Sequence, residues 1–168
     1  MPLFRRQPRL AASIATQLVG VSPIAAAPLV GGGWVVLSAA EWIHVPDSES
    51  GAALTRHGWH EVDNAQWVTD QNSLVVRWIN GETLALRLDG ENERVPQVVR
   101  ERVEASIVHV VQRDLPGGNK VRAVVRREGQ GDVSSQVSVV GTAAVTAYVA
   151  ELAVALEAEA RAAVGLAE

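Results

Sequence analysis

The chain has 168 residues, of which 48% are hydrophobic and 20% are charged, so it is long enough to bury a core and has the composition of a folded protein. Its net charge of −4 argues against a dedicated nucleic-acid-binding protein, because such proteins carry an excess of basic residues. The absence of cysteine excludes disulfides, thiolate nucleophiles and cysteine-based metal sites, and it is consistent with a reducing compartment.

The first predicted element is a short amphipathic helix over roughly Arg9–Leu18. An uncharged run from Leu10 to Ala40 follows Arg5, Arg6 and Arg9, and this combination has some features of a secretory signal. Polar residues and Pro23 interrupt the hydrophobicity, so we expect a cytoplasmic protein with neither a signal peptide nor a transmembrane segment.

Short strands with alternating hydrophobicity are predicted next. They are Ile24–Val30, Trp34–Leu37, Glu41–Val45 and Trp59–Val62, with Trp67 in a neighbouring strand. The run Gly31-Gly32-Gly33 is interpreted as a turn between the first two strands rather than as a phosphate-binding loop, because it lacks a lysine and a following helix. Large aromatic side chains at alternating strand positions are typical of a core, so we predict that the tryptophans pack inside rather than line a ligand pocket: Trp34, Trp42, Trp59, Trp67 and Trp78.

A β-hairpin around Asn80-Gly81 is the clearest local signal. Leu74, Val76 and Trp78 occupy alternate positions before this pair. Three leucines occupy alternate positions after it: Leu84, Leu86 and Leu88. Because Asn-Gly tolerates positive φ angles, the pair predicts a type I′ turn.

The second half begins with a helix near Pro96, with Val95, Val99 and Val103 as its apolar stripe and an ion pair between Arg100 and Glu104. The β-branched run Ile107–Val111 predicts a strand, and a second hairpin follows with strands Val121–Arg127 and Val133–Val140. Thr142 is the predicted N-cap of a terminal helix over Ala143–Val164.

This order of strands, helix, strands and helix is typical of an α+β protein rather than of a parallel nucleotide-binding sheet. We expect one domain over residues 1–168, made of an N-terminal segment 1–22, a core 23–112 and an added hairpin with the C-terminal helix over 113–168.

Three stretches of this pattern resemble bacterial pleckstrin-homology-like (PH-like) domains. They are G-G-G-W-V-V-L-S-A-A-E-W-I-H-V, W-H-E-V-D-N-A-Q-W and L-V-V-R-W-I-N-G-E-T-L-A-L-R-L, followed by the helix Val95–Ala105. The resemblance covers Ile24 to Val111, and more narrowly it is to a family of uncharacterised actinobacterial proteins of this length. It implies an antiparallel PH-like β-roll or barrel with a crossing helix, used as a binding or assembly scaffold, with no catalytic residues to carry over.

The densest set of potential metal ligands is His57 and His60, with Glu61 and Asp63 beside them. The zinc-protease signature places two histidines on one face of a helix, whereas Gly58 and the strand-like residues after it argue against a helix here. The alternatives are a weak metal site, which would make the protein a metal-dependent hydrolase, and ordinary surface histidines.

Basic residues cluster in the second hairpin and suggest a strip that could bind anionic lipid or phosphate: Arg113, Lys120, Arg122 and Arg126, with Arg127 beside them. The structural alternative is that charged residues protect an edge strand from unwanted pairing. We favour the structural alternative.

The function expected from these observations is that of a non-enzymatic binding or protein-interaction module that requires no cofactor. A protein partner or a second copy of the chain is expected to dock on an exposed sheet edge or on the terminal helix. Binding of anionic lipid through the basic hairpin is the alternative function, and a metal-dependent hydrolase ranks below it.

Overall fold

The computed structural model describes residues 9–129, 131–142 and 144–166, so Arg5 and Arg6 lie outside the described residues. The chain divides into two compact units, one extending to Glu104 and the other beginning at Ala105. The described residues form ten strands in three antiparallel sheets together with three α-helices, which confirms the α+β class. These sheets are open, so the described residues form no closed barrel.

The first unit contains a four-stranded and a three-stranded sheet. A short helix α1 (Ala12–Gln17) precedes the first sheet, whose strands are β1 (Pro23–Pro28), β2 (Trp34–Ser38), β3 (Glu41–Val45) and β4 (Thr55–Gly58). The second sheet has strands β5 (Val62–Val68), β6 (Ser73–Trp78) and β7 (Thr83–Arg87), and helix α2 (Arg94–Ser106) follows it. An isolated bridge between Leu29 and Leu88 connects the ends of β1 and β7.

Trp42 occupies the centre of this unit and is fully buried. Its indole packs edge-to-face against those of Trp59 and Trp78, with centroids 6.3 and 5.9 Å apart. Val95, Val98 and other residues of both sheets and α2 complete the core. The prediction that the tryptophans fill the core is confirmed for Trp42, Trp59 and Trp78, whereas Trp34 and Trp67 are only half-buried against core residues.

Two local predictions for this unit are wrong. The predicted strand Trp59–Val62 is a 3₁₀ turn over Trp59–Glu61, because the Glu61 carboxylate accepts a hydrogen bond from the Gly58 amide (2.7 Å) and closes the turn. The Asn80-Gly81 turn is not type I′, since only Gly81 has a positive φ. The hydrogen bond from the Trp78 amide to the Glu82 carbonyl spans a three-residue loop instead.

The second unit is one three-stranded sheet covered by a helix. Strands β8 (Ile107–Asp114), β9 (Lys120–Arg127) and β10 (Val133–Val140) lie in the order β10-β9-β8, so β9 is central. Helix α3 (Ala147–Ala163) buries Val149, Leu156 and Ala160 against Val121, Ala123 and Val125 of β9. The prediction places most of β8 in the core segment 23–112, but this strand pairs with β9 and therefore belongs to the second unit.

The helix boundary in this unit also differs from the prediction. The N-cap of α3 is Thr146, whose hydroxyl accepts a hydrogen bond from the Val149 amide, and not Thr142. The predicted first helical residue, Ala143, lies outside the described residues. The described helices include none that is long and apolar enough to cross a membrane.

Candidate interaction groove

Arg126, one of the predicted anion-binding residues, is a buried residue of strand β9. It is 1% exposed, and its Nη1 donates a hydrogen bond to the Ser106 hydroxyl over 2.8 Å. The prediction treated this hairpin as a sheet edge, whereas β9 has a neighbouring strand on both sides. A buried arginine that holds a serine is a structural residue and has little surface to offer a lipid phosphate.

The other predicted basic residues do not form one open strip with it. Arg113 on β8 forms an ion pair with Glu159 of α3 over 3.0 Å. The Lys120 ammonium lies 3.8 Å from the Asp114 carboxylate, and Arg122 is half-buried. The tertiary structure therefore distributes the four residues among a buried bond, two surface ion pairs and one partly open position.

His57 and His60 lie close to one another, but their contacts are those of packing residues. The Nδ1 atom of His57 is 3.1 Å from a Glu61 carboxylate oxygen, and the His60 ring lies against Gly58. Among the described residues, no group of three or more histidine, cysteine, aspartate or glutamate side chains is arranged to hold a metal ion.

The electrostatics of Glu61 follow from this arrangement. Burial disfavours its charged form, but the hydrogen bonds from His57 and the Gly58 amide favour that form more strongly. The charges of His57 and His60 act in the same direction, and the pKa of Glu61 is therefore lowered below its ordinary value. The carboxylate stays ionised and fastens the end of β4 to the 3₁₀ turn.

A groove of about 880 Å³ lies in the first unit, between the β5–β6 hairpin and the start of α2. Strand β5 and the turn after it contribute one wall, with Ala65, Trp67 and Thr69. Leu74 and Val99 are buried residues at its base. The opposite wall is a stripe with the i, i+3, i+4, i+7 spacing of one helix face: Glu93, Pro96, Gln97 and Arg100.

Strand β5 forms one edge of its sheet and contributes residues to the groove wall. In the described part of the chain it pairs only with β6, so one side of its backbone has no strand neighbour. After an irregularity between Val62 and Asn64, the pairing is regular up to Val68. Such an edge presents a row of backbone N–H and C=O groups that can pair with another extended chain.

The loop at the mouth of the groove is held by two asparagine side chains. Asn72, in the left-handed conformation with φ of 48°, donates to the carbonyls of Leu88 and Gly90, each over 2.8 Å. Asn92 donates to the Ala26 carbonyl and accepts from the Val95 amide, which fixes the start of α2. The loop is therefore anchored on both sides.

This anchored loop places two exposed carboxylates, Glu91 and Glu93, at the groove. Neither forms a salt bridge with another described residue. The groove's arginine, Arg100, is already engaged with Glu104 over 3.5 Å. The groove thus combines an aromatic wall, an apolar floor and two available negative charges.

The sequence contained signals for this groove that the predictions did not use. Asn92 stands three residues before Val95, which is the spacing of a helix N-cap, and two glutamates flank it. The position of α2 beside β5 could not be predicted from the sequence, because contacts between segments that are distant in the chain have no local signature. Comparisons with known proteins add no further information: no family model, no curated protein and no solved structure matches this chain.

Proposed function

We propose that the first unit is a protein-interaction module of PH-like type, which binds an extended segment of a partner protein in the groove beside β5. One observation carries this proposal: an edge strand with no second strand neighbour among the described residues contributes to a groove whose other wall is a helix. Two antiparallel sheets and a following helix also support the PH-like interpretation.

The backbone of the bound segment pairs with β5. Strand addition gains affinity from main-chain hydrogen bonds, and specificity comes from side-chain pockets beside the edge. The regular part of β5, residues 64–68, is long enough to order a short segment. Because the neighbouring loop is already fixed by Asn72 and Asn92, little ordering of the protein is needed on binding.

The side chains of the groove define the chemistry of the segment. An apolar residue of the segment packs against the partly exposed Ala65 and Pro96, and a lysine or arginine lies between the Trp67 indole and the carboxylates of Glu91 and Glu93. A cation gains from both the aromatic face and the negative charges. The partner is therefore a protein with an exposed, extended and basic segment, and binding rather than covalent chemistry is the proposed activity.

The test is selection of a random-peptide library on the full chain, followed by hydrogen exchange with an enriched peptide. We expect enriched peptides to carry a basic residue near an apolar one. We also expect the amides of residues 64–68 to exchange more slowly in the complex, because strand pairing protects them. Peptides that protect another part of the chain would disprove the groove as the binding site.

A charge-reversed variant provides the matched comparison. Glu91→Lys/Glu93→Lys should weaken binding of the selected peptide by about tenfold or more, because it removes two attractive charges and introduces two repulsive ones. Glu49→Lys/Glu151→Lys changes the net charge by the same amount at exposed positions outside the groove and should leave the affinity unchanged. An equal loss in both variants would mean that only the overall charge matters.

A further inference from the structure

The two edges of the second unit's sheet differ in their protection against pairing. The edge strand β8 has a register shift between Ile107 and His109 and carries charged Arg113 and Asp114. The opposite edge strand, β10, pairs with β9 through eight regular positions without a bulge. It contains no charged residue and no proline, and none of its residues is buried. Among the described strands β10 pairs only with β9, and an edge of this composition can pair with another strand.

The sequence of β10 suits pairing with itself. In an antiparallel pair centred on Gln136, Ser134 lies opposite Ser138 of the second copy, and Val133 lies opposite Val139 of the second copy. Directly opposite residues share a face, so the valines meet on the α3 side and the serines on the other side. No pair opposes like charges, because the strand has none.

Charges beside the strand are arranged for the same symmetric pairing. Glu157 and Arg161 of α3 both contact the hydroxyl of Ser135, at 2.6 and 3.3 Å, so this side of the helix faces β10. A two-fold axis at Gln136 turns the second helix antiparallel to the first. The two helices then lie on the same face of the joined sheet, each with an acid and a base on the side nearest the other copy.

The opposite face of the sheet has a second complementary pair. Lys120 lies beside Val140 in the β9–β10 register, and Asp132 follows the turn before β10. In the symmetric pair, Asp132 of the second copy lies opposite Val140, on the same face as Lys120. The two-fold axis repeats this attraction between Lys120 and Asp132 at both ends of the interface.

We propose that the chain forms a symmetric dimer by antiparallel pairing of β10 with β10 of a second copy, which joins the two sheets into one of six strands. This surface lies in the second unit and does not depend on the peptide groove. The dimer and peptide binding can therefore be tested separately.

The test uses sedimentation equilibrium of the full chain over a wide concentration range. The wild-type chain should dimerise, and Gln136→Lys and Gln136→Glu should each weaken the dimer by about tenfold or more, because two like charges then lie opposite each other. An equimolar mixture of the two variants should dimerise again, since the two opposed side chains then carry opposite charges. Only a contact between the two copies of residue 136 predicts this rescue.

Gln112→Lys, on the other edge strand, is the matched control and should dimerise as the wild-type chain does. Thermal unfolding of each variant checks its fold, and if the lysine variant does not fold, the glutamate variant decides alone. A monomeric wild-type chain, a dimer insensitive to both variants of residue 136, or the absence of rescue in the mixture would each overturn the proposal. Glu91→Lys/Glu93→Lys should not alter the dimer, so the test of the dimer is independent of whether the groove binds peptides.

Discussion

The imidazole of His57 stacks on the indole of Trp78, with ring centroids 4.2 Å apart and ring planes inclined by 26°. His57 belongs to β4 and Trp78 to β6, so this contact joins the two sheets of the first unit. Trp78 in turn packs edge-to-face on the buried Trp42. The histidine considered as a metal ligand is thus an extension of the aromatic core.

Replacing His57 by alanine should lower the free energy of unfolding by about 1–2 kcal/mol, because the stacking contact and the bond to Glu61 are both lost. Urea denaturation measures this change. Arg56→Ala, at the neighbouring residue, removes only an exposed ion pair with Glu41 and should change stability by less than about 0.5 kcal/mol. Equal effects of the two substitutions would contradict the packing role of His57.

The lowered pKa of Glu61 predicts a pH-dependent contribution to stability. The unfolded chain binds a proton at this carboxyl near its ordinary value of 4.5, whereas the folded chain binds it only at lower pH. The contribution is therefore fully present above pH 4.5 and is lost as the pH falls through the folded-state pKa. Glu61→Gln should cost about 1 kcal/mol at neutral pH and progressively less in acid. Denaturation curves at several pH values test this; a pH-independent difference would refute it.

Two buried tryptophans should respond differently to the same substitution. The Nε1 atom of Trp59 donates to the Ser38 carbonyl over 3.2 Å, while that of Trp42 is buried and has no hydrogen-bond partner among the described residues. Trp59→Phe leaves a buried carbonyl with one bond fewer, whereas Trp42→Phe removes an unpaired donor. We expect the Trp59 variant to lose about 1 kcal/mol more stability than the Trp42 variant. The reverse order in thermal or urea unfolding would contradict this.

The glycine turn before β2 supplies another matched pair. Gly31 and Gly33 both have positive φ, at 89° and 82°. A Cβ at Gly31 meets nothing within 4 Å, whereas one at Gly33 would lie 2.5 Å from the Val45 carbonyl oxygen. Gly31→Ala should therefore cost only the backbone strain of about 1–2 kcal/mol, and Gly33→Ala should cost at least about 2 kcal/mol more. Urea denaturation measures both changes, and similar denaturation midpoints for Gly31→Ala and Gly33→Ala would show that the backbone of the turn adapts to the added methyl group.

Arg126 and Arg127 are adjacent residues with opposite environments. Arg126 is buried and bonded to Ser106, and Arg127 is exposed. Arg126→Ala should cost about 3 kcal/mol, since it removes a buried bond and leaves a cavity, while Arg127→Ala should change stability by less than about 0.5 kcal/mol. A small effect of Arg126→Ala on unfolding would restore this residue as a candidate for anion binding.

Local patterns in the sequence determined most of the strands and helices of this protein. The exact extent of β3, the stripe of Val95, Val99 and Val103 and the Arg100–Glu104 pair at 3.5 Å agree with prediction, because each depends on residues close in the chain. The Asn80-Gly81 hairpin was predicted for the same reason. The predicted turn type is wrong, because the loop length depends on hydrogen bonds to residues outside the dipeptide.

Only the tertiary structure decided which residues could form a site. Arg126 became a structural residue because the chain that leads into β8 brings Ser106 to its guanidinium, and His57 became a packing residue because β6 brings Trp78 to it. The groove beside β5 likewise exists because α2 lies next to that strand. Strand order and helix docking result from the summed burial of many side chains, so they leave no short motif in the sequence.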